Sequence, residues 1–172
     1  MREGGPDSVA TLHLMVGLPC SGKTTLARAL ETKCNALRFG LDEWHIRLYG
    51  HDFWDGMNDS DERTHAVRHE TVESLIWDVA TRALGLGVDV VLDFGCWSRS
   101  EREQYRTEAR KLGAEFTMHF TTASEEILLA RLRQRNNNVG DSAFYIPESK
   151  LREWMQIFEQ PSKEELEGSG LS

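Results

Sequence analysis

Eight residues near the N-terminus constrain this chain more than any others: Gly17-Leu18-Pro19-Cys20-Ser21-Gly22-Lys23-Thr24. The pattern, G-x-x-x-x-G-K-[ST], follows the apolar run Thr11 to Val16 and precedes Leu26, Ala27, Ala29 and Leu30 at helical spacing. A buried strand must therefore turn sharply into a helix, and glycines let it do so without a Cβ penalty. Such a turn aims successive backbone N–H groups and a helix N-terminus into one concavity, which suits phosphate oxygens. On this reading Gly17, Cys20, Ser21, Gly22, Lys23, Thr24 and Thr25 hold the phosphates of ATP. The Lys23 ammonium bridges the β- and γ-phosphates, and the Thr24 hydroxyl holds Mg²⁺.

The rest of the chain alternates short apolar runs with amphipathic stretches. Residues 36–39 read as a second strand ending at Gly40, and 88–92 as a continuous β-branched strand of the kind that is covered on both faces. Residues 116–121 read as a further strand. Between them, 62–84 place Val67, Val72, Leu75, Ile76, Val79, Ala80 and Ala83 along one helical face. Ser98 or Ser100, each with Glu three residues later, opens a helix to Lys111, and Ser124 caps another holding Ile127, Leu128, Ala130 and Leu132. After a loop at 136–143, Pro147 starts a last helix with Leu151, Trp154, Met155 and Phe158 inward. The expected architecture is α/β: a mostly parallel sheet with helices on both faces, in one domain over 11–161. Residues 1–10 read as a flexible lead and 162–172 as a polar tail.

Composition narrows the function classes. With 172 residues the chain suits one domain, and its net charge of −8 offers no overall positive field to hold a polyanion, so nucleic acid is a disfavoured partner. No apolar run reaches bilayer length and no secretory leader is evident, so the expectation is a cytoplasmic protein with no membrane partner. The three cysteines, Cys20, Cys34 and Cys96, form no CxxC pair, which disfavours a disulfide framework or a zinc site. His65 and His69 lie one turn apart and read as a wet helix face. There is no Asn-Lys pair for the base-reading N-K-x-D motif of GTPase switches, and Asp93 precedes Phe94 where motor ATPases usually carry a second acid. Asp93-Phe94-Gly95 has none of the companion motifs of protein kinases.

Four segments together carry a resemblance: GLPCSGKTTL at 17–26, Gly40-Leu41-Asp42, Val90-Val91-Leu92-Asp93, and Ala130-Arg131-Leu132-Arg133-Gln134-Arg135-Asn136. They resemble the small P-loop kinases similar to polynucleotide 5′-hydroxyl kinase, zeta toxin and chloramphenicol phosphotransferase, over residues 11 to about 161. The resemblance implies a three-layer P-loop NTPase fold with a sheet of about four to five strands, the first strand central, and an arginine-bearing lid at about 131–146. It also implies transfer of the ATP γ-phosphoryl to a hydroxyl. The family often has Gly where Cys20 stands, and relatives commonly continue beyond Pro161 into a further strand.

Site roles follow from that resemblance joined to the local chemistry. Asp42, just beyond the second strand, is the expected general base, with a helix N-cap as the alternative. Arg38 and Arg47 flank it and would steady an anionic acceptor or the γ-phosphate, with a solvated face as the alternative. Asp93 would order Mg²⁺ with Thr24 or bind acceptor. Arg131 would stack on adenine and Arg135 neutralise the transferring phosphoryl, with an exposed helix face as the alternative. Trp97, Arg99 and Arg102 would form a second pocket wall. Residues 44–61, rich in aromatic and polar side chains for a loop, either line an acceptor pocket or only pack on the domain. The expected partner is a small-molecule hydroxyl acceptor. A polynucleotide 5′-hydroxyl kinase and a nucleotide-binding regulatory switch remain as alternatives.

Overall fold

The computed structural model describes residues 9–140 and 142–167. Its strands are β1 (Thr11–Val16), β2 (Leu37–Gly40), β3 (Val90–Asp93) and β4 (Glu115–Phe120). Its helices are α1 (Lys23–Cys34), α2 (Leu41–Tyr49), α3 (Asp59–Gly85), α4 (Arg99–Lys111), α5 (Glu125–Asn136), α6 (Glu148–Ile157) and α7 (Lys163–Glu167). Among the described residues the sheet has four strands in the order β2-β3-β1-β4, every pair parallel. β1 lies inside it, with His13 beside Val91 of β3 and Thr117 of β4.

Strand alternation sorts the core into layers. Leu12, Leu14 and Val16 of β1 join Val90 and Leu92 of β3 on the face covered by Val72, Ile76 and Ala80 of α3 and Ala109 of α4. Met15 and Val91 point the other way, against Ala27 and Leu30 of α1. Helices therefore cover both faces, as an all-parallel sheet requires. A third cluster joins Leu128, Leu129 and Leu132 of α5 to Ile146 and Leu151, and Leu18 and Cys20 of the glycine loop rest against it.

The structure corrects several boundaries and faces. Residues 44–49 belong to α2 and are not loop. α3 begins at Asp59, where the Asn58 side chain accepts from the N–H groups of Ser60 and Asp61. Its buried stripe is Val72, Ile76, Ala80, Ala83 and Leu84, whereas Val67, Leu75 and Val79 are exposed. Ser98, not Ser100, caps α4, in a reciprocal capping box with Glu101. The segment read as a polar tail carries α7, whose Glu165 is buried against Arg102 of α4. Residues 1–8 and 168–172, the outer parts of the expected lead and tail, lie outside the described residues.

Candidate functional site

The loop between β1 and α1 is held open by its glycines. At Gly17, φ is +147°, and a Cβ would lie 2.4 Å from the Thr121 carbonyl oxygen. The Gly17 N–H donates to Gly95 O (3.1 Å) beyond β3, and the Ser21 and Thr121 hydroxyls share a 2.7 Å hydrogen bond beyond β4. Both neighbours of β1 thus pin the loop. Gly22, at φ +107°, is the N-cap of α1, with no side-chain cap and no acidic residue in the first turn, so no side-chain cap among the described residues competes for those N–H groups. Cys20 sits at φ +64°, the left-handed region where glycine is favoured, which accounts physically for Gly being common at this place in the resembling family.

Lys23 folds back over the loop and donates to the Leu18 carbonyl (2.8 Å). Burial lowers its pKa, against the fields of Asp93 and Asp42. Asp93 shifts the other way: burial raises it, the Thr24 hydroxyl hydrogen bond and the charges of Arg38 and Lys23 offset part of that, and Asp42 adds to it. Arg38 is committed elsewhere than expected. Its guanidinium, 10% exposed, meets Asp93 (3.1 Å), Glu43 (2.7 Å) and Glu31 (3.4 Å), so it braces Asp93 from behind. Arg102, read as a pocket wall, is instead buried among the carbonyls of Cys96, Trp97 and Glu159 and the Glu165 carboxylate. Arg47 and Arg99 are exposed and outside the cavity.

One cavity of ≈1260 Å³ opens at the carboxyl edge of the sheet, the usual ligand position in open α/β folds. It brings together Lys23, Thr24, Thr25, Asp42, Asp93, Trp97, Arg131 and Arg135. Asp42 lies in the first turn of α2 with its side chain 47% exposed. Gly40, not Asp42, is the N-cap. Arg131 of α5 donates to the Cys20 carbonyl (3.1 Å), and Arg135 to the Phe144 carbonyl (3.4 Å). The buried Arg135 Nε has no hydrogen-bond partner among the described residues, and neither Lys23 nor Arg135 is in an ion pair there. An unsated guanidinium, a burial-stressed lysine and free helix N–H groups fit a polyphosphate. The Thr24 hydroxyl and Asp93 carboxylate, already hydrogen-bonded, are hard oxygen donors that fit Mg²⁺.

Sequence reading missed a cluster centred on Asp52. His45 Nε2 and His65 Nδ1 donate to its Oδ1 (2.8 and 2.7 Å), and Arg68 donates to Oδ2 (3.0 Å). Burial works against the Asp52 carboxylate, but the His65 and Arg68 hydrogen bonds and the field of His45 outweigh it and lower its pKa. His45, Asp52 and His65 place their ligand-type atoms within 4.8 Å of one another. Those atoms are already joined by hydrogen bonds, and Arg68 brings a fixed positive charge, so the cluster reads as a clip between α2 and α3. His65 and His69 are thus no wet face: both line the cavity, and His69 Nε2 stands 3.8 Å from Asp42 Oδ1.

The parallel sheet, the glycine loop entering α1 and the cavity above it, which holds Lys23, Arg131 and Arg135, define a nucleotide-binding α/β protein of the P-loop class. A family model described as an AAA domain matches residues 12–161, and the chain belongs to that family. No curated protein matches its sequence. Solved structures share the fold at low identity. A gluconokinase from Sinorhizobium meliloti is 22% identical with a TM-score of 0.56, over 91% of this chain and 79% of that one. Kti12 of Chaetomium thermophilum, in complex with ADP-AlF3, is 20% identical with a TM-score of 0.64, over 88% and 81%. A chain of the Pnkp1/Rnl/Hen1 RNA repair complex is 20% identical with a TM-score of 0.66, over 98% of this chain but 47% of its own length. No helix among the described residues is long and apolar enough to cross a membrane.

Proposed function

We propose that the protein is an ATP-dependent phosphotransferase that moves the γ-phosphoryl to a hydroxyl of a small molecule. One observation carries this reading: the loop lysine, the Thr24–Asp93 pair and the accessible Asp42 carboxylate share a single cavity. Asp42 accepts the proton as the acceptor oxygen attacks the γ-phosphorus, the bond from that phosphorus to the bridging oxygen breaks, and ADP leaves. Lys23 and Arg135 hold charge on the transferring group, and Arg131, tied to the loop carbonyl, flanks the nucleotide. Thr24 and Asp93 would hold Mg²⁺, which would supply further neutralisation of phosphate charge. Arg38 keeps the Asp93 carboxylate oriented. His69 lies beside Asp42, where it can steady the base.

The Asp42→Asn variant tests this directly. Acceptor-dependent transfer should fall by roughly 10²- to 10⁴-fold with MgATP affinity nearly unchanged. A folded variant with full kcat removes Asp42 from the mechanism and directs attention to Asp93. The likeness to a chain of an RNA repair complex favours a second reading, a polynucleotide 5′-hydroxyl kinase. The net charge of −8 opposes it, and tight, steeply salt-dependent binding of a 5′-hydroxyl oligonucleotide is the result that supports it. Multiple-turnover ADP formation that requires an added acceptor separates either enzyme from a regulatory switch.

A further inference from the structure

The cavity carries charges of both signs. Lys23, Arg131 and Arg135 line it; the remaining lining cation, Arg28, is paired with Glu43. One wall is built on α3, where His65, His69 and Glu73 recur every four residues and Glu70 falls between, so one helical face lines the space. Glu101, at the start of α4, and Asp42 extend that wall. None of Glu70, Glu73 and Glu101 forms an ion pair with Lys or Arg among the described residues. Glu73 accepts from the Tyr105 hydroxyl (2.6 Å), and Glu101 from the Ser98 N–H (2.8 Å) and hydroxyl (3.0 Å). All of these donors are neutral. Those three carboxylates are therefore open to a cationic partner, whereas Asp42 already has His69 beside it.

A second feature of the same space is independent of charge. Trp97 and Trp154 lie with ring centroids 5.2 Å apart, and Phe53 packs 6.0 Å from Trp154. All of them line the cavity together with Phe144. Aromatic faces attract both apolar ring surfaces and cations, and the attraction to cations strengthens as water is excluded. An anionic acceptor set against that wall would meet carboxylates that no Lys or Arg among the described residues pairs, at a cost in affinity.

We infer that the acceptor is a hydroxyl compound carrying a protonated amine and an apolar or ring face. This rests on the phosphotransfer reading for the word acceptor, but its test does not require turnover. Three probes of equal framework isolate the charge: 2-amino-1-phenylethanol, 1-phenyl-1,2-ethanediol and mandelate. Their binding is measured by calorimetry on the full chain with Mg²⁺ and a non-hydrolysable ATP analogue. The amine should bind at least about tenfold more tightly than the diol, the scale of one charge-assisted contact, and mandelate most weakly. In the Glu70→Gln, Glu73→Gln double variant, whose amides keep an acceptor for Tyr105, the preference for the amine should shrink about tenfold with nucleotide affinity retained. Equal binding of amine and diol, a preference for mandelate, no measurable amine binding at millimolar concentration, or an undiminished amine preference in the variant overturns the inference. If the amine binds as expected but no hydroxyl-bearing amine stimulates ADP release, the charge assignment stands and the phosphotransfer reading falls.

Discussion

Lys23 is charged at a place where burial disfavours its charge, and the phosphates it awaits are its natural counter-ions. Nucleotide binding should raise its pKa from the lowered value of the free protein. MgATP affinity is then fully present below the free-protein pKa and declines as pH rises through it, a dependence that titration calorimetry from neutral to alkaline pH will show. The Lys23→Met variant removes the stressed charge and keeps an apolar stem of similar length. Its Tm should be no lower than that of the parent, while transfer falls at least about a hundredfold. Near-normal turnover in a folded variant contradicts the role given to the loop. Cys20 offers a chemical handle on the same loop, since its side chain is half-buried and lines the cavity. Alkylation of Cys20 should abolish ATP binding, and bound MgATP should protect it; peptide mapping that finds equal labelling with and without MgATP counts against this placement.

Among the elements, α7 is attached to the domain through charge. Arg102, 2% exposed, meets Glu165, 8% exposed, at 3.0 Å, and Arg106 donates to the Glu165 carbonyl at 2.8 Å. Burial opposes the Glu165 carboxylate, but the Arg102 and Ser162 hydrogen bonds outweigh it and lower its pKa. The stability this confers is present above the unfolded-state carboxylate pKa and is lost as pH falls through the lower folded value. Replacing Arg102 by Met leaves a buried carboxylate without its partner and should cost about 3–5 kcal/mol at neutral pH by denaturant unfolding. The deficit should narrow in acid, where Glu165 in the variant takes up a proton.

The same elements show what pattern reading can and cannot reach. Thr11–Val16 was legible because six consecutive residues are buried in a strand flanked on both sides. The glycine loop was legible because its chemistry is local. α2 was not, because its buried residues, Leu41, His45 and Ile46, include a histidine whose Nε2 finds its partner only in Asp52. α7 has the sequence Lys-Glu-Glu-Leu-Glu, whose single apolar residue, Leu166, packs on the core but makes no periodic pattern, and its charged anchor stands 63 residues away. Arg38 reads from sequence as a ligand contact or a solvated face, because Glu31, Glu43 and Asp93 come together around it only after folding. The Asp52 clip escaped for the same reason: its partners come from α2 and α3, and no periodicity encodes a hydrogen bond between them.

At the scale of the whole molecule, the cavity joins parts that distant segments supply: the loop, the β3 end, α2, α3, and the α5–α6 pair. The last of these is fastened by Asn136, whose amide donates to the Ile146 carbonyl (2.7 Å) and accepts from its N–H (3.3 Å), closing the intervening segment at its base. A ligand touching all of these parts should stabilise the domain cooperatively. A non-hydrolysable ATP analogue with Mg²⁺, at a hundred times its Kd, should add about 2.7 kcal/mol, seen as a rise in Tm that grows with ligand concentration. A saturating analogue that leaves Tm unchanged while calorimetry reports binding places the site on a part that opens without global unfolding.

The pinning of the loop by Gly95 and Thr121 has a consequence for how such a protein can diversify. The phosphate apparatus is anchored on β1, β3 and β4, while His65, His69, Glu70 and Glu73 are displayed on a single face of α3 whose own hold on the sheet comes from a different stripe, Val72, Ile76 and Ala80. Of the displayed residues, His65 is tied to Asp52 and Glu73 to Tyr105, whereas His69 and Glu70 can be exchanged with little disturbance to either the core or the loop. A library randomising positions 69 and 70 should therefore retain nucleotide binding in most of its folded members, which makes this turn of α3 the stretch of the cavity wall that is freest to vary.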